Sequence, residues 1–315
     1  MLLEYIDLTR VIVAVFIFSV ASYSDYKTRL IENHVWLIGG AFASVLLFAH
    51  LLTISSSFIP YLLGFLAIAL FFTPYISLER FNVPEKTEVH IEILLYLVLT
   101  SATFLIGFYW FLPENGMLMG IVAMQALIRV FYELNIIHGG ADAKALMLVA
   151  LLFPTYPHFF FFPLASSRIQ LLETMFPFTL TVLLNSVFWF IFYPFLLFLY
   201  NAGRGNAKIP NAFLGYKIPI KEARKKFVWL MEHPVGGKVI TQYMPKKDED
   251  ENIQAEIAEL ERLGKKEIWV TPQIPFIIPI TVGLFISIAI GNILFLLLGI
   301  SSFHALYFSQ VHLYL

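Results

Sequence analysis

The chain has 315 residues, a formal net charge of −1, 59% hydrophobic and 14% charged residues, and no cysteine. Its mean hydropathy is +0.77, and the charged share falls far below the roughly 25% of a soluble domain, which excludes an ordinary water-soluble protein. Without thiols there is no disulfide, no thiolate zinc site and no cysteine nucleophile.

About 20 apolar residues cross a bilayer core as a helix. Runs of that kind lie at roughly 8–24, 35–54, 58–78, 91–112, 116–135, 143–164, 175–200 and 273–300. The expected fold is therefore an all-α polytopic membrane protein of about eight transmembrane helices. The first run lacks a small-residue cleavage site before Asp25 and is followed by further spans, so it reads as a retained helix rather than a signal peptide. Pro154 and Pro157 interrupt the sixth run, which membrane helices tolerate where neighbours satisfy the freed carbonyls.

Charge orients these spans, because short cytoplasmic loops are enriched in Lys and Arg. Lys27 and Arg29 follow the first span, Arg80 and Lys86 the third, Lys144 lies beside the junction after the fifth, and a long basic stretch follows the seventh. The alternate loops are nearly bare: SSSFIP has no charge, LPENGM has Glu114, and the loop after the sixth span has Arg168 and Glu173. The amino terminus is thus expected outside, with spans one and five both running inward.

Residues 201–272 form the one sizeable polar segment, expected to be a small α+β cytoplasmic domain before the last helix. KEARKKFVWLME reads as helical, and DENIQAEIAELERLG sets Ile253, Ile257, Leu260 and Leu263 at helical spacing with Gly264 as a stop. VITQYM and EIWV read as short strands, and the charge run KKDEDE as a solvated turn. The expected division is a membrane catalytic domain over 1–200, the cytoplasmic domain over 201–272, and a final helix and tail over 273–315.

Two aspartates stand where apolar runs meet water: Asp25 in SYSDYKTRLIEN and Asp142 in HGGADAKALM. An ionised Asp at mid-membrane costs roughly 2.5–3.5 kcal/mol on insertion scales, so intramembrane acids usually have a function; at span ends the cost is smaller. Asp25 alone also reads as an interfacial partner of Lys27 or Arg29, and Asp142 as a first-turn acid favoured by the helix dipole. Since four spans separate them, both return to the cytoplasmic face. Two carboxyls held close share one proton, so one can activate water while the other donates to a carbonyl. Gly139 and Gly140 remove side chains just before Asp142 and allow a substrate chain to approach. Lys27 and Lys144, each two residues beyond an Asp, either bias that proton sharing and orient substrate or simply anchor helices at the headgroups. Glu32, Glu79, Glu85 and Glu88 are acids near the site that either attract a cationic substrate or are ordinary surface charge. Glu133, four residues after Arg129, is expected to pair with it. His34, His50, His90, His158 and His233 show no ligand spacing, so no metal is expected; His138 either contacts substrate or is structural.

At these residues the chain resembles the archaeal type IV prepilin and preflagellin peptidases, membrane aspartyl proteases of the GxGD class. D-x-K-x-R-x-I-x-N from Asp25 to Asn33 is similar to the family's first aspartate motif, and GGADAKALM from Gly139 to Met147 to its second. FLGYKI, KKFVWLME and WVTPQIPFIIPITVG are similar to the carboxy-terminal part of the archaeal branch. The resemblance implies that Asp25 and Asp142 are catalytic and that Gly139 and Gly140 shape the second site, with Ala141 in place of the strict motif's second glycine. It implies cleavage of short basic leaders from pilin-like or flagellin-like precursors at the cytoplasmic membrane face. Bacterial relatives that also methylate the new amino terminus carry a cysteine-rich segment absent here, so proteolysis without methyl transfer and without a cofactor is expected. The implied partners are such precursors and the lipid bilayer, not nucleic acid, and the oligomeric state is left open. About two more helices lie between the aspartates than in a compact six-helix relative. A different reading is a transporter in which the two acids bind protons or cations.

Overall fold

The computed structural model describes residues 2–76, 84–110, 112–137, 139–167, 176–243, 253–273 and 275–303. Glu79, Arg80, His138, Arg168, Glu173 and the charge run at 246–251 lie outside the described residues, as do the side chains of Glu85 and Lys86. The chain divides into two compact units, one formed by 1–187 with 275–315 and the other by 188–274.

In the first unit, helix α1 (Leu2–Thr28) is followed by α2 (Asn33–Ile54), α3 (Phe58–Phe72), α4 (Glu85–Tyr109), α5 (Pro113–Glu133) and α6 (Gly140–Leu152). Three of these boundaries have a plain local cause. Arg29 takes a left-handed φ of 58° and ends α1. The Ser57 side chain accepts from the Ile59 N–H at the start of α3. Proline occupies the first turn of α5, where no intrahelical N–H is needed. Among the described residues, six helices are long and apolar enough to cross a bilayer: α1 to α5, with α3 extended by a 3-10 turn to Tyr75, and α7 (Phe178–Gly203). The chain is a multi-pass membrane protein.

Two of the eight expected spans are shorter than the sequence suggests. The sixth, expected over 143–164, is a 13-residue helix ending at Leu152, because Pro154 forces Phe153 out of helical geometry and Pro157 follows. The eighth, expected over 273–300, is a 13-residue helix over Ile277–Ala289, ended by Gly291 at a φ of 105°. At 1.5 Å per residue each covers about 20 Å, less than the roughly 30 Å hydrocarbon core. Beyond them, β1 (Ala165–Ser167) pairs antiparallel with a strand at Ser301–Phe303. Asn185 stabilises this irregular backbone, donating from Nδ2 to Ser287 Oγ at 2.8 Å and Gly291 O at 2.9 Å while its Oδ1 accepts from the Ile293 N–H.

The core of this unit is nearly continuous along α6, whose residues from Ala145 to Leu152 are all buried. Trp36 is fully buried edge-on to Phe18, with ring centroids 6.1 Å apart, joining α1 to α2.

The second unit contains two four-residue helical turns, α8 (Asn211–Leu214) and α9 (Ile220–Ala223), between which β2 (Tyr216–Pro219) runs. Strands β3 (Val228–Leu230), β4 (Glu232–Val235) and β5 (Lys238–Thr241) follow, then α10 (Ile253–Arg262) and β6 (Glu267–Pro272). One antiparallel sheet has the order β2-β6-β3, and β4 and β5 form a hairpin. Ile257 and Leu260 of α10 pack in a core with Ile218, Val228, Ile268 and Val270. VITQYM and EIWV thus contain strands as expected, and Gly264 ends α10 at a φ of 81°. The helix expected over KEARKKFVWLME is present for its first three residues alone, since Val228 to Leu230, with β-branched Val228 and aromatic Trp229, pair with β6 instead.

Candidate functional site

Asp25 lies in the last turn of α1, and Asp142 is the third residue of α6. Four long helices, an even number, separate them, so both acids return to one end of the unit. They are close enough for the charge of Asp25 to act on Asp142.

A third element completes this end: the helix over Ile277–Ala289, here α11. Its first residue, Ile277, brings its backbone N–H close enough to act on the Asp25 carboxylate. That N–H has no intrahelical acceptor, and an acid placed near it meets the positive end of the helix dipole. One turn deeper, the hydroxyls of Ser22 and Thr281 lie 2.8 Å apart and tie α1 to α11. Helix α2 packs against α1 and α6, as does α11, and α6 and α11 begin at the acid pair. The contribution of Ile277 was not visible in the sequence, because a backbone donor is not encoded by residue type.

The Asp142 carboxyl folds back over Gly139, so a side chain at 139 would occupy its place. At Gly140 a methyl group would lie 3.6 Å from the Tyr132 hydroxyl, an ordinary contact. Ala141 is partly buried and its methyl packs on the core, so a side chain is accommodated where the strict motif has glycine.

Neither lysine turns its ammonium to an aspartate. Lys27 Nζ lies 3.1 Å from Tyr23 Oη on the exposed face of α1. Lys144 Nζ donates to Asn33 Oδ1 at 2.8 Å and lies 5.0 Å from the Tyr75 ring centroid, joining α6 to the start of α2. The expected pair of Arg129 and Glu133 is present at 2.5 Å and is extended by Glu92, 2.9 Å from the same guanidinium. Glu32 is exposed and pairs with His34 at 2.9 Å. At the opposite ends of α1 and α2, Arg10 Nη1 is 2.8 Å from Asp7 Oδ1 and 3.2 Å from His50 Nδ1, a buried polar group not singled out in the sequence. Among the described residues, no three His, Asp or Glu side chains converge in a metal-holding group.

Fold and site together define a polytopic helical membrane protein with a carboxyl pair where α1, α6 and α11 meet. The family described as "Archaeal Peptidase A24 C-terminus Type II" matches residues 207–293. The chain is similar to proteins named preflagellin peptidase from Methanocaldococcus jannaschii, with 30% identity over 49% of this chain and 63% of the relative, and from Methanococcus maripaludis, with 27% identity over 49% and 64%. A preflagellin peptidase from Methanococcus voltae is 27% identical over 87% of this chain and 91% of its own length. The first two alignments thus cover less than two thirds of those relatives. The chain is thus similar to archaeal proteins named preflagellin peptidase.

Proposed function

We propose that the chain is a membrane aspartyl endopeptidase that removes short basic leaders from archaellin-like or pilin-like precursors at the cytoplasmic membrane face, without methyl transfer. The observation that carries this reading is the meeting of Asp25 and Asp142 at one end of the helical unit, where α6 and α11 begin. Two carboxyls so placed hold one proton and one negative charge between them, and the titration belongs to the pair. The ionised member takes a proton from the attacking water, and the neutral member donates to the scissile carbonyl oxygen. The dipoles of α6 and α11 stabilise the single negative charge that the pair retains. With no side chain at Gly139, the Asp142 carboxyl has room to lie over the start of α6, where an extended backbone reaches the acids. A leader bond at the water boundary suits this position, with the apolar helix of the precursor remaining in the lipid.

The test is incubation of the purified protein with candidate precursors, reading the new amino terminus by mass spectrometry. Asp25→Asn and Asp142→Asn each abolish cleavage while leaving the protein in the membrane. Full activity in both variants would rule the mechanism out.

One observation favours the transporter reading instead: the buried Asp7, Arg10 and His50 group at the far ends of α1 and α2. Proton or cation uptake into proteoliposomes that is lost in the Asp25 and Asp142 variants would support that reading over peptide hydrolysis.

A further inference from the structure

Asp142 stands in the first turn of α6, and that turn is poorly secured from within. Its N-cap residue is Gly139, which offers no side-chain acceptor to the free N–H groups, and Gly140 follows. The first N–H groups of a helix have no intrahelical acceptor, and ends without a cap fray. A reacting group displaced by about an ångström costs on the order of 100-fold in rate. The start of α6 thus needs a hold from another element.

The structure supplies one. Lys144 Nζ donates to Asn33 Oδ1 at 2.8 Å, lies 5.0 Å from the Tyr75 ring centroid, and is near enough to Glu92 for the two charges to act on each other. A lysine that anchors a helix in the headgroups turns its ammonium outward to water, whereas this one turns to α2. The helix dipole gives it no reason to be there, because that end of a helix favours anions. Residues two apart on a helix lie roughly 200° apart around its axis, so Lys144 grips α6 on the side away from Asp142.

Asn33 is tied in turn to the segment that carries Asp25. The hydroxyls of Ser24 and Thr28 in α1 both donate to Leu30 O, at 2.7 Å and 3.0 Å. The Arg29 N–H donates to Asp25 O at 3.0 Å. The turn that leaves α1 is therefore bonded back onto the helix end that holds Asp25, and Asn33 opens α2 just beyond it.

We propose that Asn33 and Lys144 are positioning residues of the carboxyl pair: their hydrogen bond joins the turn after Asp25 to the turn that holds Asp142, and it sets the separation of the two acids. The assignment deepens the peptidase reading and rests on it. Acting through the geometry of the pair, the bond governs the chemical step and leaves substrate binding alone.

The test uses the full-length protein in lipid nanodiscs with a purified archaellin precursor as substrate. Asn33 is exposed, so Asn33→Ala leaves the helix packing in place, and Lys144→Met keeps an unbranched stem while removing the ammonium. Each change is expected to lower kcat about 30-fold with KM within about twofold, the signature of an interaction felt in the transition state. The double variant is expected to lose no more than either single one, since all three lack the same bond. Asn33→Asp keeps an acceptor oxygen and is expected to hold kcat within about threefold of wild type. Wild-type kcat in either single variant, a loss that falls on KM, losses that multiply in the double variant, or an Asn33→Asp variant as slow as Asn33→Ala each overturns the assignment. All four leave cleavage by the wild type, and with it the peptidase reading, intact. A wild type that cleaves no precursor overturns both.

Discussion

A methyl group at position 139 would fall on the Asp142 carboxyl, whereas at position 140 it would meet only the Tyr132 hydroxyl at 3.6 Å. The two glycines look alike in the sequence but differ in what they permit. Under the peptidase reading, Gly139→Ala is expected to lower kcat/KM about 100-fold, the scale at which an ångström of misplacement in a reacting group is felt. Gly140→Ala is expected to cost less than tenfold, and leader-cleavage kinetics on the two variants measures the difference. Equal losses would show that both act merely as turn residues. The acids themselves were legible, because an Asp beside an apolar run has few explanations. Their surroundings were not. The Ile277 N–H is a backbone group with no residue signature, and the bond from Lys144 to Asn33 joins positions 111 apart. Nothing local in either segment announces that contact, although both residues fall within the motifs that carried the resemblance.

Helical spacing marks Ile253, Ile257, Leu260 and Leu263 as one stripe of α10, but only Ile257 and Leu260 are fully buried. Leu263 stays 39% exposed beyond the last turn. Ile257→Ala and Leu260→Ala should each destabilise the second unit by about 2–5 kcal/mol, the range for truncating a buried aliphatic side chain. Leu263→Ala should cost under about 1 kcal/mol, since surface changes away from special features stay small. Limited proteolysis of the intact protein in denaturant, followed at the 201–272 segment, ranks the three. Equal sensitivity would mean that α10 packs differently. The same stretch of chain shows where periodicity fails. Residues Val228 to Leu230 lie in a run with helical charge spacing upstream, yet their partner is β6, about forty residues later in the chain. Long-range pairing overrides local propensity there. Likewise, the apolar length of spans six and eight overstates their helices, because hydropathy counts residues while Pro154 and Gly291 decide where the backbone turns.

Across the whole molecule, the side of the membrane on which the acid pair lies depends on counting. Four long helices separate Asp25 from Asp142, and an even number holds the two together whichever way the chain is inserted. Orientation is a separate matter that rests on the Lys and Arg bias of alternate loops. Because the chain has no cysteine, single cysteines report topology without a background to remove. Tyr5 is 64% exposed and Lys221 is exposed, so a cysteine at either position is available to reagent. Tyr5→Cys is expected to react with a membrane-impermeant maleimide in intact cells. Lys221→Cys is expected to react only after the membrane is opened. The reverse pattern would place the carboxyl pair on the outer face, where a leader still awaiting cleavage before export is not presented. The peptidase reading would then require a substrate that arrives from outside. Labelling of both positions from the same side would be more damaging, since an odd number of crossings must lie between residues 5 and 221 for seven apolar segments to separate them. It would mean that α6, at 13 residues, enters the bilayer and leaves by the face it came from, with the chain that follows it returning to the acid-pair side before α7 begins.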